Sequence, residues 1–415
     1  MVLRANFIFC KANTKEHFRS RGDVLNALET QIIHIIKKAL FEDFECSLTE
    51  DLAWDEVFKL GALHNIIPIL AEGILNLDID DNIKNIFLAQ HRRHAVVHFG
   101  QMERLQAIQD AFENAQIDHM LLKGKNLKDL YPKPEMRTMG DFDILIKPDQ
   151  YDKIQKCLSG LGLFNTGESD HEIIWTDNSF AFLELHKRLF PSYNADFSKY
   201  FGIGWERANL QSGSKHTFSL SKEDEYIFIF THFAKHYRDG GVGIKHMLDI
   251  YLFNFKNPDM DQNYIEAELK KLGLFEFHKN TIKTLSVWFE NGKPCEVSDL
   301  ITQKIFKSGS FGTVAEKQKA SALRESNRHK TTLGAKVGAF LKAAFPPLKV
   351  IKDSYPVLSV LPILLPLMWI LRILKGIIFK QNASKNVFSK IKNINKQTIE
   401  SYQSDLSKVG LNDKF

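Results

Sequence analysis

The chain has 415 residues, of which 44% are hydrophobic and 25% charged. This length and composition are typical of a globular protein with roughly two or three domains and exclude a largely disordered chain. The formal net charge of +5 is small for this length, so we expect no specific nucleic-acid partner.

The cysteines indicate a reducing compartment. Cys10, Cys46, Cys157 and Cys295 are scattered along the chain without metal-ligand spacing, so neither a disulfide framework nor a zinc site is expected. The N-terminal segment MVLRANFIFCKANTKEHF has only a short apolar stretch, followed at once by charges, which is not typical of a signal peptide. We therefore expect a cytoplasmic protein.

Helical periodicity dominates the first part of the chain. Stretches such as VLNALETQIIHIIKKAL and IFLAQHRRHAVVHFGQMERLQAIQDAFENA repeat apolar residues at intervals of three and four. We predict an N-terminal helical region that covers residues 1–115.

Short β-type runs follow. IDHMLL, FDILI, EIIW and FAFLELH are separated by turn-rich or helical stretches such as DQYDKIQKCLSGLG. They predict a small α/β core at residues 116–220. Helical periodicity then returns and predicts a helical domain at 221–345. The expected fold class is α+β, with a small mixed sheet between N-terminal and C-terminal helical regions.

The stretch from residue 355 to 380, YPVLSVLPILLPLMWILRILKGIIFK, is the most apolar part of the chain. Pro356, Pro362 and Pro366 interrupt it, and the apolar run before Arg372 is shorter than the roughly 20 residues of a membrane-spanning helix. The stretch is therefore more typical of an interfacial segment than of a span.

Basic residues accompany this apolar stretch. Between Ser354 and Ile399 there are seven Lys or Arg residues and no acidic residue. A region of this kind can rest on an anionic membrane surface, here through residues 355–396, or pack against the body of the protein. We treat 346–415 as a separate apolar, basic tail, and both interpretations stay open.

The segment LLKGKNLKDLYPKPEMRTMGDFDILI carries two carboxylates, Asp141 and Asp143, inside an apolar run. In a strand they project from one face, while Phe142 and Ile144 face the other way. Two such carboxylates repel each other unless a cation lies between them. They are hard oxygen ligands that suit Mg²⁺ or Mn²⁺ and leave positions for phosphate oxygens. The pattern predicts a metal-nucleotide site.

Neighbouring segments supply further parts of such a site. Gly124 ends the apolar run MLLKG and permits a close backbone approach, and Lys123 and Lys125 flank it as phosphate partners. Downstream, FAFLELHKRL places Glu184 and His186 on one face of a strand and offers a third carboxylate.

Two more features extend the candidate site. Arg137 precedes the paired carboxylates and could clamp a phosphate or carboxylate near the metal. His232 and His236 lie four residues apart on a predicted helix, which is a metal-ligand spacing. Because no HExxH-type glutamate accompanies them, we favour packing or substrate contact over zinc binding.

These segments carry a resemblance to known proteins. The order of glycine turn, DxD strand and acidic strand is similar to the nucleotidyltransferase superfamily that includes DNA polymerase β and kanamycin nucleotidyltransferase. More closely, LLKGKNLKDLYPKPEMRTMGDFDILI, LELHKRL and HFAKHYRDGGVGIKHMLDI resemble a bacterial family of uncharacterised nucleotidyltransferases, often found near polysaccharide biosynthesis genes. The resemblance runs over about residues 25–375.

The resemblance implies a short sheet that holds three carboxylates and two metal ions. By position, Gly124 with Lys125 matches the glycine motif, Asp141 and Asp143 match the paired metal ligands, and Glu184 matches the third acid. Lys125 stands where the superfamily usually has Ser or Gly, and the third acid is Glu rather than Asp. Glu184 is therefore a metal ligand, a base or only a neighbour.

The resemblance also covers the segment after the core. It implies nucleotide or acceptor contacts for Lys235, His236 and Lys245. Asp249, on the same segment, is expected to brace its helix instead.

The implied reaction is in-line attack by an acceptor hydroxyl on the α-phosphate of a nucleoside triphosphate, with release of pyrophosphate. Glu184 could help to deprotonate the acceptor, with His186 as its orienting partner. The acceptor is a saccharide, a lipid-linked glycan or a protein, and surface polysaccharide biosynthesis is the expected context. A peripheral position at the inner face of the cell membrane would suit such an enzyme.

Two alternatives come from other classes of protein. A glycosyltransferase can use a DxD motif to hold manganese and a nucleotide sugar, but its usual fold places βα units before the motif, whereas here the preceding hundred residues read as helical. A catalytically inactive, membrane-peripheral adaptor would use the tail and keep the carboxylates as relics.

Overall fold

The computed structural model describes residues 26–329, 341, 345, 348–351, 355, 357–371 and 396–412. Over these residues it has an α+β fold, in which helices surround a mixed seven-stranded sheet, so the predicted fold class is confirmed. The N-terminal segment weighed as a signal peptide, and residues 372–395 of the basic tail, lie outside the described residues.

From residue 26, where the described part of the chain begins, four helices precede the sheet. They are α1 (Ala27–Leu40), α2 (Trp54–Leu63), α3 (Ile67–Ile74) and α4 (Asp81–Asn114). Asn26 and Glu29 form a capping box at the start of α1, since each side chain accepts the other's backbone N–H. The Asp80 side chain caps α4 by accepting the backbone N–H of Asn82.

The sheet is assembled from seven short strands with three helices between them. The elements are β1 (His119–Leu122), α5 (Gly124–Lys128), β2 (Phe142–Ile146), α6 (Tyr151–Gly160), β3 (Phe164–Glu168), β4 (Glu172–Thr176), β5 (Phe182–His186), α7 (Ala195–Phe201), β6 (Asn209–Leu210) and β7 (Thr217–Ser219). The strand order is β3-β4-β5-β2-β1-β7-β6. β2 pairs with β1 in antiparallel and with β5 in parallel orientation.

The two faces of the sheet bury different cores. On β2, Phe142 and Ile144 point to the back face, where they join a core with Ile108 of α4 and Ile154 of α6. Leu145 points to the front face and joins the larger core. This alternation is the period of two that the sequence predicts for a strand.

Between the sheet and His329, a range that the structure describes throughout, there are six helices. They are α8 (Lys222–Arg238), α9 (Ile244–Lys256), α10 (Gln262–Lys271), α11 (Phe275–Phe289), α12 (Glu296–Ser308) and α13 (Val314–His329). The Ser221 side chain caps α8 by accepting the backbone N–H of Asp224. The larger core combines side chains of these helices with those of α1 to α3 and of the front face of the sheet.

A C-terminal helix, Lys396–Lys408, packs back onto this body. The Tyr402 hydroxyl donates to the backbone carbonyl of Arg238, and the fully buried guanidinium of Arg238 donates to Asp196 at 2.8 Å and to Asn412 at 3.2 Å. These contacts join α7, α8 and the residue stretch after the C-terminal helix.

The described residues before that helix are short helical stretches, Leu348–Ile351, Val357–Val360 and 365–371. Their surface is unusually apolar, since Ile363 is 84% exposed. In the described part of the chain, no helix combines the length and the apolar character needed to cross a bilayer. The domain boundaries at 115, 220 and 345 stay predictions.

Candidate functional site

A tight turn joins β1 to α5. The backbone of Lys123 has φ +37° and that of Gly124 has φ +30°, both in the left-handed region. A β-carbon on Gly124 would lie 3.0 Å from the Met139 sulfur, so a side chain there would crowd its neighbour. Lys123 adopts a conformation that is uncommon for a residue other than glycine, and such strain often marks functional turns.

Strand pairing brings two of the predicted acids together. β2 and β5 run in parallel, and Asp143 lies directly opposite Glu184 on the front face. His186 follows on β5, and its Nε2 lies 2.8 Å from Asp143 Oδ1 and 3.7 Å from Glu184 Oε2. Lys123 Nζ lies 2.9 Å from the same Asp143 oxygen. The glycine turn and the acidic strands therefore meet at Asp143.

In the described ranges, one group of side chains has the spacing of a metal site. It consists of Asp143, Glu184 and His186, whose ligand atoms all lie within 4.8 Å of one another. Asp141, directly before β2, is half-buried and is not a member of this group. The predicted ligand set of Asp141, Asp143 and Glu184 therefore stays a prediction, and His186 joins the candidates.

Burial and mutual repulsion disfavour the ionised form of two of the three carboxyl groups. Burial, with the charges of Asp143 and Asp141, raises the pKa of the Glu184 carboxyl to about 8. Burial and Asp143 also raise the pKa of Asp141. Burial opposes ionisation of Asp143 as well, but Lys123 and His186 hold the pKa of that carboxyl well below its usual range. Crowded, desolvated oxygen donors of this kind fit a divalent cation such as Mg²⁺ or Mn²⁺.

A histidine pair on α8 faces the turn. His232 Nε2 lies 3.1 Å from Lys123 Nζ and 3.0 Å from His236 Nε2. Burial and the Lys123 charge lower the pKa of His232 well below its ordinary value, and burial with Lys235 does the same for His236. Both rings are therefore neutral, and the pair agrees with the predicted packing or substrate contact.

Two lysines after the core lie close to this pair. Lys245 Nζ donates to the backbone carbonyl of Thr138 at 3.2 Å, and burial with the Arg137 charge lowers its pKa to about 8. Burial and Lys123 lower the pKa of Lys235, which also feels the charge of Asp143. These positions agree with nucleotide contacts, which stay a prediction.

Arg137 and Lys125 have other partners. The buried Arg137 guanidinium donates to both oxygens of Asp249, at 2.7 and 2.8 Å, and lies 3.4 Å from the Gly124 carbonyl. Lys125 Nζ, on α5, lies 3.4 Å from Asp129, the residue just after that helix. A phosphate contact by Arg137 would have to compete with Asp249. Asp249 thus pairs with a residue outside its own helix, and its expected bracing of that helix stays a prediction.

The sequence analysis missed one part of the site. Glu172 on β4 is the register partner of His186, and its carboxylate lies 2.9 Å from His171 Nε2. The imidazole rings of His171 and His186 are 6.0 Å apart. The acid at the start of EIIW was the available signal, because alternation along β4 puts it on the same face as Ile174, the partner of Glu184.

Comparison with protein-family models identifies a family that this chain matches. A protein-family model described as "Uncharacterised nucleotidyltransferase" matches residues 50–290, more than half of the chain and all of the residues of the site. The chain belongs to this family. The resemblance seen in the sequence is thereby confirmed over residues 50–290. Comparisons with curated proteins and with solved structures gave no match.

Membership of the nucleotidyltransferase family supports a nucleotidyltransferase activity and a nucleotide substrate. It agrees with the Asp143, Glu184 and His186 group, which could hold a metal ion. His186 Nδ1 is buried and has no hydrogen-bond partner among the described residues, so the ring is held through Nε2 alone.

Proposed function

We propose that this nucleotidyltransferase moves a nucleoside monophosphate from a nucleoside triphosphate to a hydroxyl acceptor. The observation that carries the proposal is the placement of Asp143 opposite Glu184, on adjacent parallel strands, with the Lys123–Gly124 turn reaching the same carboxylate. Strand pairing therefore brings a candidate phosphate-binding turn and two acids to one place.

Asp141, Asp143 and Glu184 would hold the Mg²⁺ or Mn²⁺ that the family implies, with His186 beside them. When bound, the cation neutralises phosphate oxygens and stabilises the attacking and leaving oxygens of an in-line displacement. Glu184 then accepts the proton of the acceptor hydroxyl, and His186 lies beside it, with Nε2 3.7 Å from the Glu184 carboxylate.

The cationic side chains bind the triphosphate. The Lys123 ammonium lies at the turn, and Lys245 enters from α9. Phosphate oxygens offer Lys245 a better-matched anionic partner than the backbone carbonyl of Thr138 does. The neutral His236 can donate a hydrogen bond without adding charge. In this arrangement the lysines hold the leaving pyrophosphate.

The acceptor approaches over β3 to β5, on the side of Glu184 away from the turn. Phe164 and Phe182 are 44% and 40% exposed there, and both are register partners of Thr176. The flat apolar faces of sugar rings pack on aromatic side chains. The exposed Phe164 and Phe182 therefore support a saccharide acceptor over a small polar one. A lipid-linked glycan or a glycosylated protein offers the same ring face, in keeping with surface polysaccharide biosynthesis.

The exposed apolar residues of the tail support a peripheral position at the inner face of the cell membrane. Ile363 and Ile370 are 84% and 55% exposed, and the sequence that follows them is basic. Such a surface suits an anionic leaflet. It would bring the cytoplasmic enzyme to membrane-bound acceptors.

The test is isothermal titration of ATP, GTP, CTP and UTP with Mg²⁺ or Mn²⁺. We compare the parent protein with Asp143→Asn and Glu184→Gln, and use Asp149→Asn, which changes an exposed acid just after β2, as the matched control. We expect metal-dependent binding of at least one nucleotide that both site variants lose and the control keeps. No metal-dependent binding of any nucleotide would favour the inactive adaptor. Binding of nucleotide sugars instead would favour the DxD glycosyltransferase.

A further inference from the structure

The Lys123 ammonium contacts a carboxylate that a metal ion at this site would also use. It lies 2.9 Å from Asp143 Oδ1, and His186 Nε2 lies 2.8 Å from the same oxygen. The Asp143 side chain is only 2% exposed. Two donors thus engage the most deeply buried of the three acids. A divalent ion at this carboxylate would meet a positive charge at contact distance.

Lys123 has a second partner on the other side. His232 Nε2 lies 3.1 Å from the ammonium. His236 Nε2, one turn further along α8, lies 3.0 Å from the same His232 nitrogen. An ammonium group has three donor hydrogens and no acceptor, so it can keep the imidazole while it exchanges a carboxylate for another anion. The side chain can therefore leave Asp143 without losing all of its contacts.

The backbone of the turn holds this side chain in place. Lys123 has φ +37°, between the last residue of β1 and the first residue of α5. This conformation is costly for a residue with a side chain. Glycine would adopt this conformation without strain, so Lys123 carries its ammonium at a conformational cost.

Resting on the metal-nucleotide site proposed above, we propose that Lys123 is a positioning residue that couples metal binding to nucleotide binding. In the free protein its ammonium occupies Asp143 and opposes a divalent cation. When a metal-nucleotide complex binds, the Lys123 ammonium contacts the phosphate oxygens instead of Asp143. The Asp143 carboxylate is then available to bind the metal. Metal alone therefore binds weakly, and metal and nucleotide bind together.

A merely structural ion pair makes a different prediction. If Lys123 only stabilised the buried Asp143, its loss would loosen the site and leave metal affinity unchanged or lower. If it competes with the metal, its loss raises metal affinity in the absence of nucleotide. The sign of the change separates the two roles.

The experiment is a Mn²⁺ titration of the full chain without nucleotide. Electron paramagnetic resonance measures the concentration of free Mn²⁺ at each step. We compare the parent protein with Lys123→Met and with Lys147→Met, which removes the same charge from a lysine just after β2 that is paired with Asp118. We expect Lys123→Met to bind Mn²⁺ at least about tenfold more tightly than the parent, and Lys147→Met to bind it like the parent. Equal or weaker Mn²⁺ binding by Lys123→Met overturns the proposal.

Lys123→Gln is the second variant, because it keeps a hydrogen-bond donor without the charge and should fold where Met does not. We expect it, too, to gain Mn²⁺ affinity. A second titration with a non-hydrolysable ATP analogue measures how far nucleotide strengthens Mn²⁺ binding. This coupling should be larger in the parent than in either Lys123 variant. If no nucleotide binds, the proposed function fails, and the titration without nucleotide still decides the role of Lys123.

Discussion

Arg137 and Asp249 form a buried, bidentate ion pair. The guanidinium nitrogens lie 2.7 and 2.8 Å from the two carboxylate oxygens, and the Tyr131 hydroxyl donates to one of them at 2.9 Å. The pair connects the segment before β2 with α9. It therefore fixes the helical region against the strand that carries the paired carboxylates.

Loss of one partner should destabilise the protein strongly. Arg137→Met leaves the Asp249 carboxylate, which is 3% exposed, buried without its counter-charge. We expect a loss of about 3–5 kcal/mol in the free energy of unfolding, measured by urea denaturation. The control is Lys222→Met, which breaks a surface pair with Asp259 and should cost at most about 1 kcal/mol. Equal losses would show that Arg137 does not brace the fold.

The Gly124 turn should not tolerate a side chain. Gly124→Ala places a methyl group at φ +30° and about 3.0 Å from the Met139 sulfur, so we expect a loss of roughly 1–2 kcal/mol in unfolding free energy and weaker nucleotide binding. Gly160→Ala is the control, because Gly160 has no positive φ and its added methyl meets nothing within 4 Å. Thermal denaturation measures the stability of both variants, and we expect the control to be as stable as the parent or slightly more stable. The same small effect at both sites would contradict the role of the turn.

Local patterns were enough to predict the acidic strands. The alternation in FDILI and FLELH places Asp143 and Glu184 on the polar face of each strand, because side chains alternate with a period of two. β3, whose residues FNTGE are mostly polar and exposed, gave no such signal and was not predicted. An edge strand needs few apolar residues, since little of it is buried.

Contacts between distant residues could not be predicted in this way. Arg137 lies 112 residues from Asp249, and Lys123 lies 109 residues from His232. A sequence shows that a charge or an imidazole is present, but its partner depends on how helices pack on the sheet. For this reason Arg137 was expected to clamp a phosphate, and the structure shows it paired with Asp249.

Lys304 should make stability depend on pH. It lies between the rings of Tyr237 and Tyr402, at 4.5 and 4.7 Å from their centroids, and 3.8 Å from Glu316. Burial lowers its pKa from 10.5 to about 8, although Glu316 opposes the shift. Between these two pH values the unfolded chain binds more protons than the folded one. The contribution of Lys304 to stability therefore rises with pH across this window.

The measurement is the difference in unfolding free energy between the parent and Lys304→Met, at about pH 7 and about pH 9.5. We expect the difference to move in favour of the parent at the higher pH, by up to about 2 kcal/mol. Lys279→Met, which removes an exposed lysine of α11, controls for the loss of one charge. A difference that stays constant with pH would show that the Lys304 ammonium is not penalised by its burial.

The exposed apolar residues of the tail should bind an anionic membrane surface. Ile363 and Leu367 are 84% and 49% exposed, and basic residues follow them in the sequence. Burying an aliphatic side chain in the interface contributes roughly 1.5–3 kcal/mol, so replacing two of them should weaken membrane binding by tenfold or more. We expect the double variant Ile363→Ser and Leu367→Ser to float less with phosphatidylglycerol-containing vesicles than the parent.

Val314→Ser is the matched control, because Val314 on α13 is 72% exposed and lies outside the apolar tail. Flotation of the parent should also fall with pure phosphatidylcholine vesicles and with added salt, since the basic residues contribute through their charge. If the double variant and the control float equally well, the apolar residues do not insert. The tail would then pack against protein, and the enzyme would reach its acceptor without a membrane surface.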